Sequence, residues 1–267
     1  MEPLKVTWLG HAAFKFLSPG GKSVIIDPWV MNNPACPDSL KRVTKLDLML
    51  VTHGHFDHIG DCVALAKQHP AAKVVCIYET SVWLGSKGVQ NALGMNKGGT
   101  QSVDGIKVTM VNAEHSCGIQ DGDRIVYGGE PCGYVVQFES GFTVYHAGDT
   151  NVFGDMKIIG DLYSPDLCLL PIGGLYTMSP REATYACQFL GAQRVVPMHY
   201  GTFPALAGTP ADFREQAEGI VGLDILVMKP GETLSFDVED PRKHVGERAP
   251  GAPSAKKRAA PRRRVRR

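Results

Sequence analysis

Apolar positions in the first third of the chain come in short runs of four to seven, broken by glycine, proline and polar pairs, the rhythm of strands. Lys5 to Leu9 and Ala13 to Leu17 read as two short strands around Gly10-His11. A turn at Ser18-Pro19-Gly20-Gly21 leads to a third strand, Ser23 to Ile26, which stops at Asp27-Pro28. The run Leu46 to Val51 has the length of a buried strand, and Asp61 is placed to cap a helix reaching about His69. Lys73 to Tyr78 reads as a strand and Glu79 to Lys87 as a helix.

The remainder repeats the pattern. Gly94 to Gly105 is glycine-rich and expected to be irregular, Ile106 to Val111 is a strand, and Gly118 to Gly133, with five glycines, is a loop or hairpin. Tyr134 to Phe138 and Phe142 to Tyr145 pair around Ser140-Gly141. A helix is expected from about Phe153 to Gly160, then a strand from Leu167 to Pro171. Ser179-Pro180-Arg181-Glu182 starts a helix that reaches about Leu190: a serine cap, a proline at the first helical position and an acid at the third. Val195-Val196 is a short strand, Thr209 caps a further helix, and Ile225 to Met228 and Thr233 to Phe236 complete the sheet. Hairpins precede crossover helices in both halves, so an α/β (α+β) fold with two packed sheets and helices outside them is the simplest layering.

Composition narrows this reading. At 43% hydrophobic residues the 267-residue chain can build a sizeable core, and it lacks any run of about 18 apolar residues that would span a membrane. The N-terminal Met1 to Lys5 passes straight into a strand without a signal peptide's apolar region, and the seven scattered cysteines form no C-x-x-C. A cytoplasmic protein with reduced thiols is therefore expected. The net charge of +1 is unevenly spread. Eleven of the 28 Lys and Arg lie between Arg242 and Arg267 beside a single acid, Glu247, leaving an acidic body of 17 bases and 26 acids. Residues 1–240 are expected to form one domain and 241–267 a disordered basic tail, open to weak polyanion binding. An acidic body argues against a broad nucleic-acid face. Homo-oligomerisation stays open.

The chemistry concentrates in Thr52-His53-Gly54-His55-Phe56-Asp57-His58, three imidazoles and a carboxylate on a loop leaving a strand. Neutral imidazole and carboxylate suit zinc and similar transition metals. Further ligands are then expected at later strand ends, where His115, Asp149 and His199 each follow an apolar run. Asp27 is placed to accept a hydrogen bond from a ligand imidazole. Tyr176 and Tyr200 follow the glycine-rich and histidine-bearing loops and are candidate donors to an oxyanion. His146, and the exposed-looking His69 and His244, are not counted as ligands.

The series His53, His55, Asp57, His58, His115, Asp149, His199 resembles the dinuclear site of the metallo-β-lactamase superfamily, over residues 4 to about 237. The resemblance implies a four-layer αββα sandwich. It further implies that His53, His55 and His115 hold one divalent metal, Asp57, His58 and His199 a second, and Asp149 bridges them. Zinc is the default, with Mn2+, Fe2+ or Ni2+ as alternatives. The superfamily's di-iron redox branch has an acid at the position of His55, so histidine there favours hydrolysis. Its antibiotic-degrading enzymes commonly place cysteine at or near the position of Asp149. Trp8 to Phe14, Ile26-Asp27-Pro28, Pro171 to Gly174 and Met198 to Phe203 look like a branch related to ascorbate-phosphate lactonases and N-acyl-phosphatidylethanolamine phospholipases D. The expected activity is hydrolysis of a small-molecule ester or lactone by a metal-bridging hydroxide. A phosphodiesterase or nuclease, or a β-lactam-hydrolysing or promiscuous hydrolase, is the alternative. Asp57 is the candidate proton shuttle, and His11 is expected to line the pocket and polarise substrate.

Overall fold

The computed structural model describes residues 2–237. The expected boundary at 240, the basic tail and His244 therefore lie outside the described residues. The first half supplies β1 (Leu4–Gly10), β2 (Ala13–Leu17), β3 (Ser23–Ile26), β4 (Leu48–Leu50), β5 (Lys73–Ile77) and β6 (Ala92–Met95). Its helices are α1 (Phe56–Ile59), α2 (Cys62–Gln68) and α3 (Tyr78–Ser86). The second half supplies β7 (Thr100–Val103), β8 (Ile106–Asn112), β9 (Gly118–Asp121), β10 (Arg124–Tyr127), β11 (Cys132–Gln137) and β12 (Thr143–His146). It continues through α4 (Met156–Tyr163), β13 (Leu167–Pro171), α5 (Pro180–Leu190), β14 (Arg194–Met198), α6 (Pro210–Ala217), β15 (Asp224–Ile225) and β16 (Thr233–Phe236).

Two seven-stranded sheets form, ordered β16-β1-β2-β3-β4-β5-β6 and β15-β14-β13-β12-β11-β8-β7, and β9–β10 stands apart as a hairpin. Each sheet is parallel where helices intervene, β3 to β6 in one and β12 to β15 in the other, and antiparallel over the rest. The period of two along each strand explains the layering. Leu48, Leu50, Val75, Ile77, Val144, Leu167 and Leu169 face the space between the sheets. Their neighbours turn outward. Met49, Val74 and Cys76 pack on Leu65 and Ala66 of α2 and Leu84 of α3. On the far side Tyr145, Cys168 and Leu170 pack on Ile159 of α4, Ala186 and Leu190 of α5 and Phe213 of α6. The result is helix, sheet, sheet, helix.

Several local expectations are corrected. The glycine-rich stretch 94–105 contributes parts of β6 and β7, because partners distant in sequence, β5 and β8, complete their ladders. The strand expected over 225–228 is the short β15, and the helix expected from Phe153 begins at Met156. Asp61 sits before α2 without capping it. Its carboxylate accepts instead from the N–H groups of Val30 (2.6 Å) and Met31 (2.7 Å) and the Asn32 side-chain amide (2.8 Å), anchoring the loop after β3. Ser179 does build its capping box with Glu182.

Candidate metal centre

His11 follows β1, Asp27 follows β3, and His53 and His55 follow β4, all in the first sheet. His115 follows β8, Asp149 follows β12 and His199 follows β14, in the second. Within each sheet these strands run the same way, so their C-terminal ends lie on one edge. Contacts across the sandwich hold the two edges together: His199 N–H to the His11 carbonyl (3.1 Å), Cys132 N–H to the Thr52 carbonyl (3.0 Å) and Tyr134 O–H to the Val51 carbonyl (2.8 Å). His146 adds a neutral link, its Nε2 donating to the Ala12 carbonyl and its Nδ1 accepting from Gly148 N–H. His69, expected to be exposed, is half-buried and bonded to the Val43 carbonyl.

Donor atoms converge in three overlapping groups: His53, His55 and His115; His11, Asp57, His58 and His199; and His53, His58 and Asp149. Within each group the donor atoms lie within 4.8 Å of one another. Asp149 is the hinge between them, its Oδ2 lying 2.9 Å from His199 Nε2, 3.2 Å from His58 Nε2, 3.7 Å from His115 Nε2 and 3.9 Å from His53 Nε2. Asp57 and His58 stand on the single turn of α1 rather than on open loop, which aims both into the cluster.

Asp27 organises the donors from behind. Its carboxylate accepts from Thr52 N–H (2.8 Å), the Thr52 hydroxyl (2.8 Å) and His58 Nδ1 (2.7 Å). With its hydrogen committed to Asp27, the Thr52 oxygen accepts from His53 Nδ1 at 3.0 Å. Both rings are thereby held in the tautomer that leaves Nε2 free as a ligand atom. Thr52 escaped the sequence reading, because nothing local marks a threonine before a histidine as a relay. Asp27, His11 and His199 all adopt left-handed backbone conformations (φ 53°, 57° and 56°). Each costs about 1–3 kcal/mol, and such strain clusters at sites whose surroundings impose it.

The charge pattern fits a cation. Burial disfavours ionisation of Asp149, but the facing His199 and His58 outweigh it and hold its carboxyl well below the usual range. Burial would likewise lower His58, yet Asp149 and Asp27 raise it well above an ordinary imidazole. The space between these carboxylates therefore demands positive charge. Burial holds His53 well below an ordinary imidazole. His58 Nε2 and His199 Nε2 crowd on the single carboxylate oxygen Asp149 Oδ2 (3.2 and 2.9 Å), while Asp149 Oδ1 is buried without a hydrogen-bond partner among the described residues, a costly arrangement for a closed polar core. Imidazole nitrogens and a carboxylate crowded around a common space, once the rings shed their protons, suit a transition metal.

Two expectations change. His11 is buried behind Asp57 rather than lining the cavity, its Nε2 3.0 Å from Asp57 Oδ2 and its Nδ1 3.0 Å from Thr202 Oγ1. Burial lowers its pKa to about 4. Burial opposes ionisation of Asp57 too, but the hydrogen bond from His11 and the charge of His58 bring it down to about 2. Tyr200 turns away from the site, packing against Trp8 with ring centroids 5.3 Å apart and reaching the Met228 carbonyl. Tyr176 does line the cavity, as do Phe56, Ser116, Gln120, Ile125 and Phe203, which sequence reasoning did not single out as site residues.

An αββα sandwich with histidines and aspartates gathered at one edge of its sheets defines a class of metal-dependent enzymes. The profile of the beta-lactamase superfamily domain matches residues 22–200. A UPF0173 metal-dependent hydrolase of Koribacter versatilis is 57% identical over 88% of this chain and 99% of its own length. One from Rubrobacter xylanophilus is 54% identical over 86% and 96%. Among solved structures, a metallo hydrolase of the archaeon Ignicoccus hospitalis is 38% identical, with a TM-score of 0.77 over 88% of this chain and 99% of that one. The chain belongs to the metallo-β-lactamase superfamily and, within it, to the UPF0173 metal-dependent hydrolases.

Proposed function

We propose that this chain hydrolyses small esters or lactones with two divalent metal ions, zinc by default. The observation that carries the reading is the meeting of the three donor groups around Asp149, whose Oδ2 lies within 4 Å of His53, His58, His115 and His199 Nε2 and whose Oδ1 is buried unpartnered among the described residues. His53, His55 and His115 would hold one ion, Asp57, His58 and His199 the other, with Asp149 reaching both. Bound there, such a pair supplies Lewis acidity and a water nucleophile available at neutral pH.

The chain's own groups do the rest. Thr52 and Asp27 keep the His53 and His58 lone pairs aimed inward. His11 holds Asp57 by Oδ2, and the ionised carboxylate at the cavity takes the proton that water loses as its oxygen joins the acyl carbon. The same proton passes to the leaving oxygen as the C–O bond breaks. Tyr176 stands at the cavity to donate its O–H to the substrate carbonyl. Among the described residues lining the cavity none is Lys or Arg, which favours a neutral substrate over a phosphodiester.

Metal analysis of the purified chain, with turnover of esters, lactones, bis(p-nitrophenyl) phosphate and a β-lactam, tests this. About two metal ions per chain are expected, with ester or lactone hydrolysis lost in Asp149→Ala. Turnover confined to the phosphodiester or the β-lactam would overturn the reading.

A further inference from the structure

A cavity of about 770 Å³ opens above the donor cluster, within the size range of pockets that enclose small organic ligands. Its charged groups sit at the floor, among them Asp57 and Asp149. Above them the walls carry neutral polar Ser116 and Gln120 and four large apolar or aromatic side chains: Phe56, Ile125, Tyr176 and Phe203. Three of these are left largely in water, Phe56 at 58%, Tyr176 at 60% and Ile125 at 76% exposure. Exposed apolar surface gathered around a concave polar centre marks a binding site.

The two principal walls are fixed. On one side Phe203 stacks on Trp29 (centroids 6.0 Å apart), and Phe56 packs edge-on against the same indole (5.8 Å). On the other side stands the β9–β10 hairpin, which among the described residues pairs with neither main sheet. Its tip is tied to α3, where Asp121 accepts from Trp83 Nε1 (3.1 Å) and Lys87 Nζ. Its base lies on the histidine loop so closely that a side chain at Gly54 would strike Ile119. Within the hairpin, the absence of a side chain at Gly118 makes room for Ile125, whose Cγ2 would be 2.7 Å from a Cβ there. Gly118 and Ile125 both line the cavity, so the hairpin holds a branched apolar side chain opposite the aromatic wall.

We propose that this cavity seats the apolar chain of its substrate, and that Ile125 sets the preference, so that the hydrolysed ester or lactone carries a medium-length acyl group. The inference rests on the ester and lactone reading for its chemistry and on the walls for its selectivity. An alkyl chain placed between Phe56, Phe203 and Ile125 would cover the surface these residues now leave in water. Each methylene so buried is worth up to about fourfold in affinity.

Two measurements on the whole chain keep binding apart from catalysis. The first is titration with neutral octanamide and with butanamide, followed by tryptophan fluorescence, Trp29 standing behind two of the wall residues. Octanamide should saturate at a concentration at least about tenfold below butanamide. Ile125→Asp should weaken octanamide about tenfold, while Val221→Asp, at a fully exposed position after α6, should leave it unchanged. The second is kcat/KM of the zinc-loaded chain for p-nitrophenyl acetate, butyrate, hexanoate and octanoate. It should rise by at least about thirtyfold along the series, and Ile125→Asp should flatten the rise. Absent octanamide binding, or equal kcat/KM for acetate and octanoate, overturns the proposal. Octanamide binding without hydrolysis of any ester or lactone upholds the apolar seat and removes the ester and lactone reading. Ester hydrolysis indifferent to chain length does the reverse.

Discussion

Asp27 shows how much of the site depends on one side chain that never faces the cavity. It takes hydrogen bonds from the Thr52 backbone, the Thr52 hydroxyl and His58, and through Thr52 it also orients His53. Asp27→Asn keeps the shape and an amide's tolerance of left-handed backbone, but it loses the charge and sets an amide donor against other donors. Residues that orient metal ligands typically contribute 10–100-fold in metal affinity. Asp27→Asn is therefore expected to weaken metal binding by about that factor, measured with Zn2+ as the probe ion in competition with a chromogenic chelator, with the far-ultraviolet circular dichroism unchanged. Unaltered affinity would reduce Asp27 to a turn residue. For Asp57→Asn the expectation is retention of at least one metal ion with loss of most turnover, and undiminished turnover would remove the proton-transfer role. The cluster at residues 53–58 was legible because its chemistry is packed into one short segment. Tyr200 was not, since the left-handed turn at His199 decides which way the next side chain faces, and adjacency in sequence carries no such information. Asp61 and His11 were misplaced for a related reason: their partners, at 30–32 and at 57 and 202, are brought to them by the fold.

Among the elements, those with a strong local signal were read correctly. Ser179-Pro180-Arg181-Glu182 announces α5, and the apolar runs announce the central strands. Edge strands β6 (Ala-Leu-Gly-Met) and β7 (Thr-Gln-Ser-Val), short and set among glycines, acquire their structure from pairing with β5 and β8, which no local window reveals. Helix contacts are equally non-local. Gly160 in α4 lies against the backbone of Leu190 at the end of α5, where an added Cβ would come within 2.7 Å of the Leu190 carbonyl carbon and 2.8 Å of its Cα. Propensity alone predicts that Gly160→Ala stabilises α4 by about 1 kcal/mol. Overpacking against backbone, which cannot swing aside as a flexible side chain does, costs about 1–3 kcal/mol. The clash should win. Gly160→Ala is expected to lower unfolding free energy by up to about 2 kcal/mol in urea titration while metal content stays the same. A more stable variant would show that the two helices separate freely.

At the scale of the molecule, the layered sandwich was foreshadowed by hairpins preceding crossovers in both halves, and the site lies where those halves meet. His53 and His55 stand on the first sheet, and His115, Asp149 and His199 on the second, so the donor set exists only once the sheets are packed. Metal binding is then linked to folding, because an ion that binds only the native chain adds stability that grows with its concentration. At a free concentration about a thousandfold above Kd the gain is about 4 kcal/mol. For a domain of this size each kcal/mol raises Tm by about 2–4 °C, so stripping the metal should lower Tm by roughly 8–16 °C. Differential scanning calorimetry with and without a chelator measures the difference. The decisive comparison is Asp149→Ala. This variant loses the carboxylate whose Oδ2 lies within 4 Å of His53, His58, His115 and His199, and with it the counter-charge that faces His58 in the metal-free protein. Its metal-free form should thus be no more stable than the metal-free native chain, and chelator should move its Tm by less than half as much. A native chain whose Tm ignores both zinc and chelator would mean that the two edges hold each other through hydrogen bonds and packing alone.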